Sequence, residues 1–237
     1  MKILIAGGSG GIGHALVEVI QQEIPEAEIH ATFFQSSPKD KGQINSVVWH
    51  RADLTDVESV SQLSLEVGPV DWVINAIGML HTQDHRPEKS VTQIEPEFFF
   101  KTVEVNVLPS LLLARCFQNN FKGSQSARFI ALSARVGSIE DNRLGGWYSY
   151  RASKAALNMV LKTLSNEWRR IQPDGCVVAI HPGTVDTRLS EPFQKNVPPE
   201  KLFSASHSAY QMLQVILRLN SDQSGQFLAY DGSFIPW

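Results

Sequence analysis

The residues best suited to proton chemistry lie in the segment Tyr148-Ser149-Tyr150-Arg151-Ala152-Ser153-Lys154. Good helix formers run through Leu157 without Gly or Pro, so the segment reads as the opening of a helix. Tyr150 and Lys154 are four positions apart, which places them on one helix face, a turn apart. A phenol ionises near about pH 10 in water and is a poor acid–base catalyst at neutrality. A neighbouring ammonium favours the phenolate, so the pair would make a proton donor that works closer to neutral pH. Tyr148 is the competing phenol, but six residues separate it from Lys154. A solvated helix face shows the same spacing, so the pair takes its meaning from the elements around it.

The chain has 237 residues, 43% hydrophobic and 19% charged, enough for one α/β domain spanning residues 1–237. A net charge of −3 gives no case for nucleic acid or an acidic membrane surface. No apolar run reaches membrane-spanning length. Met1 to Ala6 leads into a glycine turn without the apolar stretch of a signal peptide. Cys116 and Cys176 sit in apolar surroundings and read as free thiols, so a cytoplasmic setting is expected.

Lys2 to Ala6 is an apolar run suited to a buried parallel strand. Gly7-Gly8-Ser9-Gly10-Gly11-Ile12-Gly13 follows, then an amphipathic helix with Leu16, Val19 and Ile20. In a strand–turn–helix context such glycines let backbone approach a pyrophosphate, and the helix N-terminus supplies N–H donors. The second strand is expected over Glu28–Phe34. No acid follows it before Asp40, where an acid would hold a free ribose 2′-hydroxyl. Ser36, Ser37 and Lys39 would suit a 2′-phosphate, which favours NADP over NAD; a plain polar loop is the alternative. Further strands are expected at Val47–His50, Val70–Ile74, Arg128–Leu132, Cys176–Ile180 and Phe227–Tyr230. Helices are expected up to about Glu66, over Glu97–Asn119, to about Ile171, and over Ala205–Leu219. Asp53-Leu54 falls where a loop can meet an adenine edge, and Asn75-Ala76-Ile77-Gly78 where a cofactor ribose would pass. Asn106 lies inside a helix that its propensity does not favour. His181-Pro182-Gly183-Thr184-Val185-Asp186-Thr187 reads as a rigid turn with glycine freedom. Met79–Glu95 and the Pro-containing Arg188–Phe203 read as loops, the latter as a mobile lid.

Together these features resemble the short-chain dehydrogenase/reductase family over nearly the whole chain. The residues carrying the resemblance are Gly7, Gly11, Gly13, Asp53, Asn75 to Gly78, Asn106, Tyr150 with Lys154, and Pro182-Gly183 with Thr187. Gly137-Ser138-Ile139 through Gly145-Gly146, and the ending Tyr230 to Trp237, resemble the C-factor-like branch with its small carbonyl reductases. The resemblance implies an α/β, Rossmann-type, doubly wound and mainly parallel seven-stranded sheet with helices on both faces. It implies hydride transfer between a nicotinamide cofactor, NADP favoured and NAD possible, and a small carbonyl or alcohol substrate. Tyr150 would donate the proton, Lys154 would lower its pKa and bind the nicotinamide ribose, and Asn106 would hold a relay water. Gly7, Ser9, Gly11, Ile12, Gly13, Ser36, Asp53, Leu54, Asn75, Ala76, Gly78, Pro182, Gly183, Val185 and Thr187 would line the cofactor, Thr187 at its nicotinamide end. The family pairs two long helices across a two-fold axis, which implies a homodimer or homotetramer. One position departs: family members commonly carry Ser-Ser after the fifth strand, and this chain has Ser133-Ala134. Ser133, or failing it Ser138, would have to polarise the carbonyl.

Other constellations are weaker. His81, Asp84 and His85 have ligand-like spacing but no helix to converge them, so no metal is expected. Ser133, His181 and Asp186 lack the strand–turn–helix setting of a hydrolase nucleophile. A cofactor-binding signalling protein with little turnover is the alternative to an enzyme, and Ala134 is its main support.

Overall fold

The first apolar run forms β1 (Lys2–Ala6), and the glycine turn releases the chain into α1 (Gly11–Glu23). The computed structural model describes residues 1–35 and 47–237. β2 (Glu28–Phe33) and β3 (Val47–Arg51) follow, then α2 (Val57–Val67), whose first turn is capped by the Asp56 side chain. β4 (Trp72–Asn75) leads to α3 (Pro96–Phe117), and β5 (Arg128–Leu132) to α4 (Tyr148–Ile171). β6 (Cys176–His181) is followed by the short β7 (Thr184–Val185) and β8 (Leu202–Phe203), then α5 (Ala205–Arg218) and β9 (Gln226–Ala229).

Seven strands form one sheet in the order β3-β2-β1-β4-β5-β6-β9. Every pairing in it is parallel, a stricter outcome than the mainly parallel sheet expected. The winding reverses between β1 and β4, which opens a crevice at the C-terminal ends of these strands. Strands buried on both faces need near-continuous apolar runs. Leu4, Ala6, Val73, Phe129, Ala131 and Val177 join the core under α2, α3 and α4. Ile3, Ile5, Ile74, Ile130, Val178 and Ile180 join the core under α1 and α5.

The differences from expectation have local causes. β4 starts at Trp72 because the Val70 N–H is taken by the Asn120 carbonyl. β9 stops at Ala229 because the chain turns back, with the Ala229 N–H bound to Ser233. The lid is structured: it holds 3₁₀ turns at Glu191–Asn196 and Pro199–Lys201, and β8 at its end pairs parallel with β7. Both cysteines are free, and burial pushes the Cys176 thiol up to about 12. Among the described residues no helix is long and apolar enough to cross a membrane.

Candidate active site

The glycine turn sits at the end of β1. Gly7 adopts φ 79°, open to glycine at no steric cost, and its N–H donates to Thr32 Oγ1 on β2 at 2.9 Å. A Cβ on Gly13 would overlap the Gly7 carbonyl oxygen, so bare backbone is required there. A Cβ on Gly11 would stand 2.8 Å from Thr187 Cγ2, which places the segment after β6 directly over the turn. Gly10 caps α1 without a side-chain hydrogen bond, and no acid occupies the first helical turn. Ser9 and Gly11 are exposed and Ile12 is half-buried. The first-turn N–H groups therefore remain open to an anion.

Along the neighbouring strand ends, several expected contact residues turn out to shape loops. Asp53 Oδ1 accepts from the Thr55 N–H and hydroxyl at 2.9 and 2.7 Å, and the Leu54 side chain is core, which leaves its main chain for a ligand. Asn75 donates to Ser110 Oγ at 2.8 Å and accepts from the Ile77 N–H at 3.0 Å. Ala76 is tied to the Ala6 carbonyl. Gly78 is exposed, and a Cβ there would lie 3.4 Å from Lys154 Nζ and 3.7 Å from Asn106 Oδ1. Ser36, with Ser37 and Lys39, lies outside the described residues.

α4 presents Tyr150 and Lys154 together, as their spacing predicts. Tyr150 is 8% exposed and Lys154 3%. Lys154 Nζ donates to the Leu132 carbonyl at 2.9 Å and stands 5.9 Å from the centroid of the Tyr150 ring. Among the described residues the Tyr150 hydroxyl has no hydrogen-bond partner, and burial raises its pKa. This corrects the expectation of a phenol lowered by Lys154: desolvation dominates, and it also draws the ammonium down to about 8. Gly137 presses against Lys154, where a Cβ would come within 2.7 Å of the Lys154 Cβ.

Asn106 pegs the loop after β4 to α4. Its amide donates to the Met79 carbonyl at 2.9 Å and to Ser153 Oγ at 2.8 Å, and its oxygen accepts from the Met79 N–H at 2.6 Å. Both amide protons are spent joining the loop after β4 to α4, while the oxygen, with one bond accepted, keeps a second lone pair. Ser133 is buried and donates to Asn158 Oδ1 at 2.6 Å, while Asn158 reaches the Gly137 carbonyl at 3.3 Å. Ser138 accepts from the Asp141 N–H and donates toward the Trp237 carbonyl at 3.4 Å. Neither serine directs its hydroxyl proton to Tyr150. The Pro182 carbonyl accepts from Ser208 at 2.6 Å, and Gly183, at φ 84°, leaves no room for a Cβ beside Phe203. Val185 is buried, and Thr187 reaches the Ser190 hydroxyl through its N–H at 3.3 Å.

Residues without a sequence signal complete the site. Glu88 is buried against the start of α4, and its carboxylate accepts from both the N–H and the hydroxyl of Ser149. The Trp147 ring meets Tyr150 edge-on at 6.2 Å and Phe193 of the lid at 5.1 Å, and His81 meets Phe193 at 5.7 Å. His85 instead pairs with Glu95 at 2.9 Å, and no three metal-ligating side chains converge among the described residues. His181 Nδ1 is buried without a partner, and burial lowers the ring to about 4. The hydrolase arrangement is absent, since Ser133 is given to Asn158.

The short chain dehydrogenase family profile matches residues 1–198. The chain is 32% identical over 171 residues to C-signal of Myxococcus xanthus, covering 72% of this chain and 94% of that protein. It is 28% identical over 241 residues to 1-hydroxy-2-glutathionyl-2-methyl-3-butene dehydrogenase of Rhodococcus sp. (strain AD45), covering 99% of each. It resembles the solved carbonyl reductase Sniffer of D. melanogaster with a TM-score of 0.87 at 23% identity, over 100% of this chain and 99% of that one. The NADPH-bound carbonyl reductase from chicken fatty liver gives a TM-score of 0.87 at 23% identity, over 100% and 94%. At such identities the structural likeness speaks for the fold alone.

Proposed function

We propose that this chain, which belongs to the short-chain dehydrogenase family, is an NADP-preferring oxidoreductase that interconverts a small carbonyl compound and its alcohol. The observation that supports this most is the nearly buried Tyr150 beside Lys154, its hydroxyl without a partner among the described residues. The residues present fit a dinucleotide. The open first turn of α1 and the Gly7–Gly13 turn suit its pyrophosphate, and Asp53 with the Leu54 main chain suits adenine. Ala76, Gly78 and Lys154 suit the nicotinamide ribose, while Pro182, Gly183, Val185 and Thr187 suit the nicotinamide end. Ser36, Ser37 and Lys39 after β2, with no carboxylate among them, support the preference for NADP. When bound, the nicotinamide supplies or removes a hydride at carbon.

The chain's own residues handle the proton. The Tyr150 hydroxyl donates a hydrogen bond to the substrate oxygen, and burial keeps the phenol protonated until negative charge develops there. The proton then passes to that oxygen, and the Lys154 ammonium offsets the phenolate left behind. The rings of Trp147 and Phe193 extend outward from Tyr150, and such an aromatic surface suits an uncharged substrate. Phe100, Leu111 and Met159, exposed on α3 and α4, support pairing of two copies across these helices as a homodimer or homotetramer.

A second reading is a cofactor-binding protein with little turnover. Ala134 and the committed hydroxyls of Ser133 and Ser138 favour it, because neither serine offers its proton to a carbonyl held at Tyr150. Fluorescence titration with NADPH and NADH, and NADPH consumption with a panel of ketones and quinones, separate the two. We expect tighter NADPH binding, measurable reduction, and a loss of about 10²–10⁴-fold in turnover in Tyr150→Phe with cofactor affinity unchanged. NADPH binding without consumption favours the second reading. Full activity in Tyr150→Phe removes the catalytic assignment.

A further inference from the structure

We infer that Glu88 is a positioning residue for Tyr150: from the loop after β4 it caps the helix that carries the phenol. The inference rests on the catalytic role proposed for Tyr150. α4 has no local cap. Its N-cap residue, Trp147, sits at φ 54° and ψ 42°, the one non-glycine residue with positive φ among those described, and offers no side-chain hydrogen bond. Gly145 and Gly146 before it also have positive φ, at 66° and 67°. The chain thus arrives at the helix through three successive left-handed residues, a conformation that costs a tryptophan energy and must be held from outside.

Glu88 supplies the hold. Its carbonyl accepts from the Trp147 N–H at 2.5 Å, and one carboxylate oxygen accepts from the Ser149 N–H at 3.2 Å. The other carboxylate oxygen accepts from the Ser149 hydroxyl. The residue is 3% exposed, and among the described residues its carboxylate is bonded only to groups of Ser149. A carboxylate at a helix N-terminus is favoured by the helix dipole and by the orphan N–H groups there. Gly146 is fitted to the same contact: a Cβ there would lie 3.3 Å from the Glu88 carbonyl oxygen. Tyr150 is the residue after Ser149, and its ring is braced by that of Trp147. Glu88 therefore fixes both the backbone just before Tyr150 and the ring beside it.

The test compares Glu88→Ala, Glu88→Gln and Ser149→Ala by steady-state kinetics on a quinone or aryl ketone that the unaltered chain reduces. NADPH titration and amide hydrogen exchange by mass spectrometry run in parallel. We expect Glu88→Ala to lower kcat by about 10–10²-fold, since small misplacements of a reacting group cost that much. NADPH affinity should hold, and exchange should quicken at residues 148–151 ahead of the rest. Glutamine can accept from the Ser149 N–H and donate to its hydroxyl, so Glu88→Gln should recover kcat to within about threefold, with Ser149→Ala falling between. Unchanged kcat in Glu88→Ala overturns the inference, as does exchange that quickens evenly across the chain, or a Gln variant as slow as Ala. If no carbonyl is reduced by the unaltered chain, the oxidoreductase reading fails, while selective exchange at residues 148–151 still upholds the cap.

Discussion

α1 and α4 begin alike and end up opposite. Each helix follows a glycine turn, and neither N-cap residue supplies a side-chain hydrogen bond. At α1 the first turn stays open, with no acid near it in sequence and exposed Ser9 and Gly11 beside it. At α4 the Ser149 N–H is taken by Glu88, 61 residues away along the chain. α2 and α5 are closed locally, by Asp56 and Ser204. A helix N-terminus is thus a ligand site only when tertiary structure leaves it unanswered. Under the function proposed above, the open first turn of α1 would meet the nucleotide, and the helix held by Glu88 would carry the proton donor.

The sharpest way to break the contrast is to fill the open turn. Gly13→Ala puts a methyl group onto the Gly7 carbonyl oxygen, with backbone rather than a flexible side chain in the way. We expect destabilisation of about 4 kcal/mol or more and no measurable NADPH binding, read by thermal melting and fluorescence titration. A variant that melts and binds like the unaltered chain would mean that the α1 turn is not built for close backbone approach.

A middle-sized effect concerns charge at the closed helix. Burial holds Lys154 near about 8, below its ordinary value, and raises the phenol of Tyr150. A lysine with a lowered pKa loses its proton as pH rises through that lowered value. Carbonyl reduction should therefore fall above about pH 8, as the ammonium that offsets the developing phenolate disappears. A pH profile of kcat with saturating NADPH checks this, and a rate still climbing through that range contradicts it.

The smallest expected effect is at Ser133. If its hydroxyl serves Asn158, Ser133→Ala should cost about 1–3 kcal/mol of stability through an unsatisfied buried acceptor and change turnover only a few-fold. A loss of about 10²–10³-fold in kcat would instead mark it as a carbonyl-polarising donor that reorients with substrate.

The sequence made the strands legible because burial on both faces demands apolar runs. It also made Gly13 and the Tyr150–Lys154 pair legible, since each depends on spacing within one element. Glu88 stayed hidden because its partner lies across the fold, and a lone acid in a polar loop resembles any solvated one. The same holds for Asn106 and Ser133. The family resemblance gave both a part in catalysis, and their buried bonds to Met79, Ser153 and Asn158 are ones that no local pattern announces. The β7–β8 pairing was missed because two-residue strands carry no periodicity. The direction of the Tyr150 pKa was misjudged because spacing reports proximity and says nothing of desolvation.

The segment between β7 and β8 is anchored at its root, by two paired residues on each side and by Thr187 resting on Gly11. Its basic residues Arg188, Lys195 and Lys201 are exposed, which makes it a natural target of a trypsin-like protease. A cut there would fall between β6 and β9, yet β9 would remain hydrogen-bonded to β6 and α5 would remain in the core it shares with α1. The nicked chain would travel as one particle in two pieces, its sheet complete and the wall that brings Phe193 to Trp147 cut free.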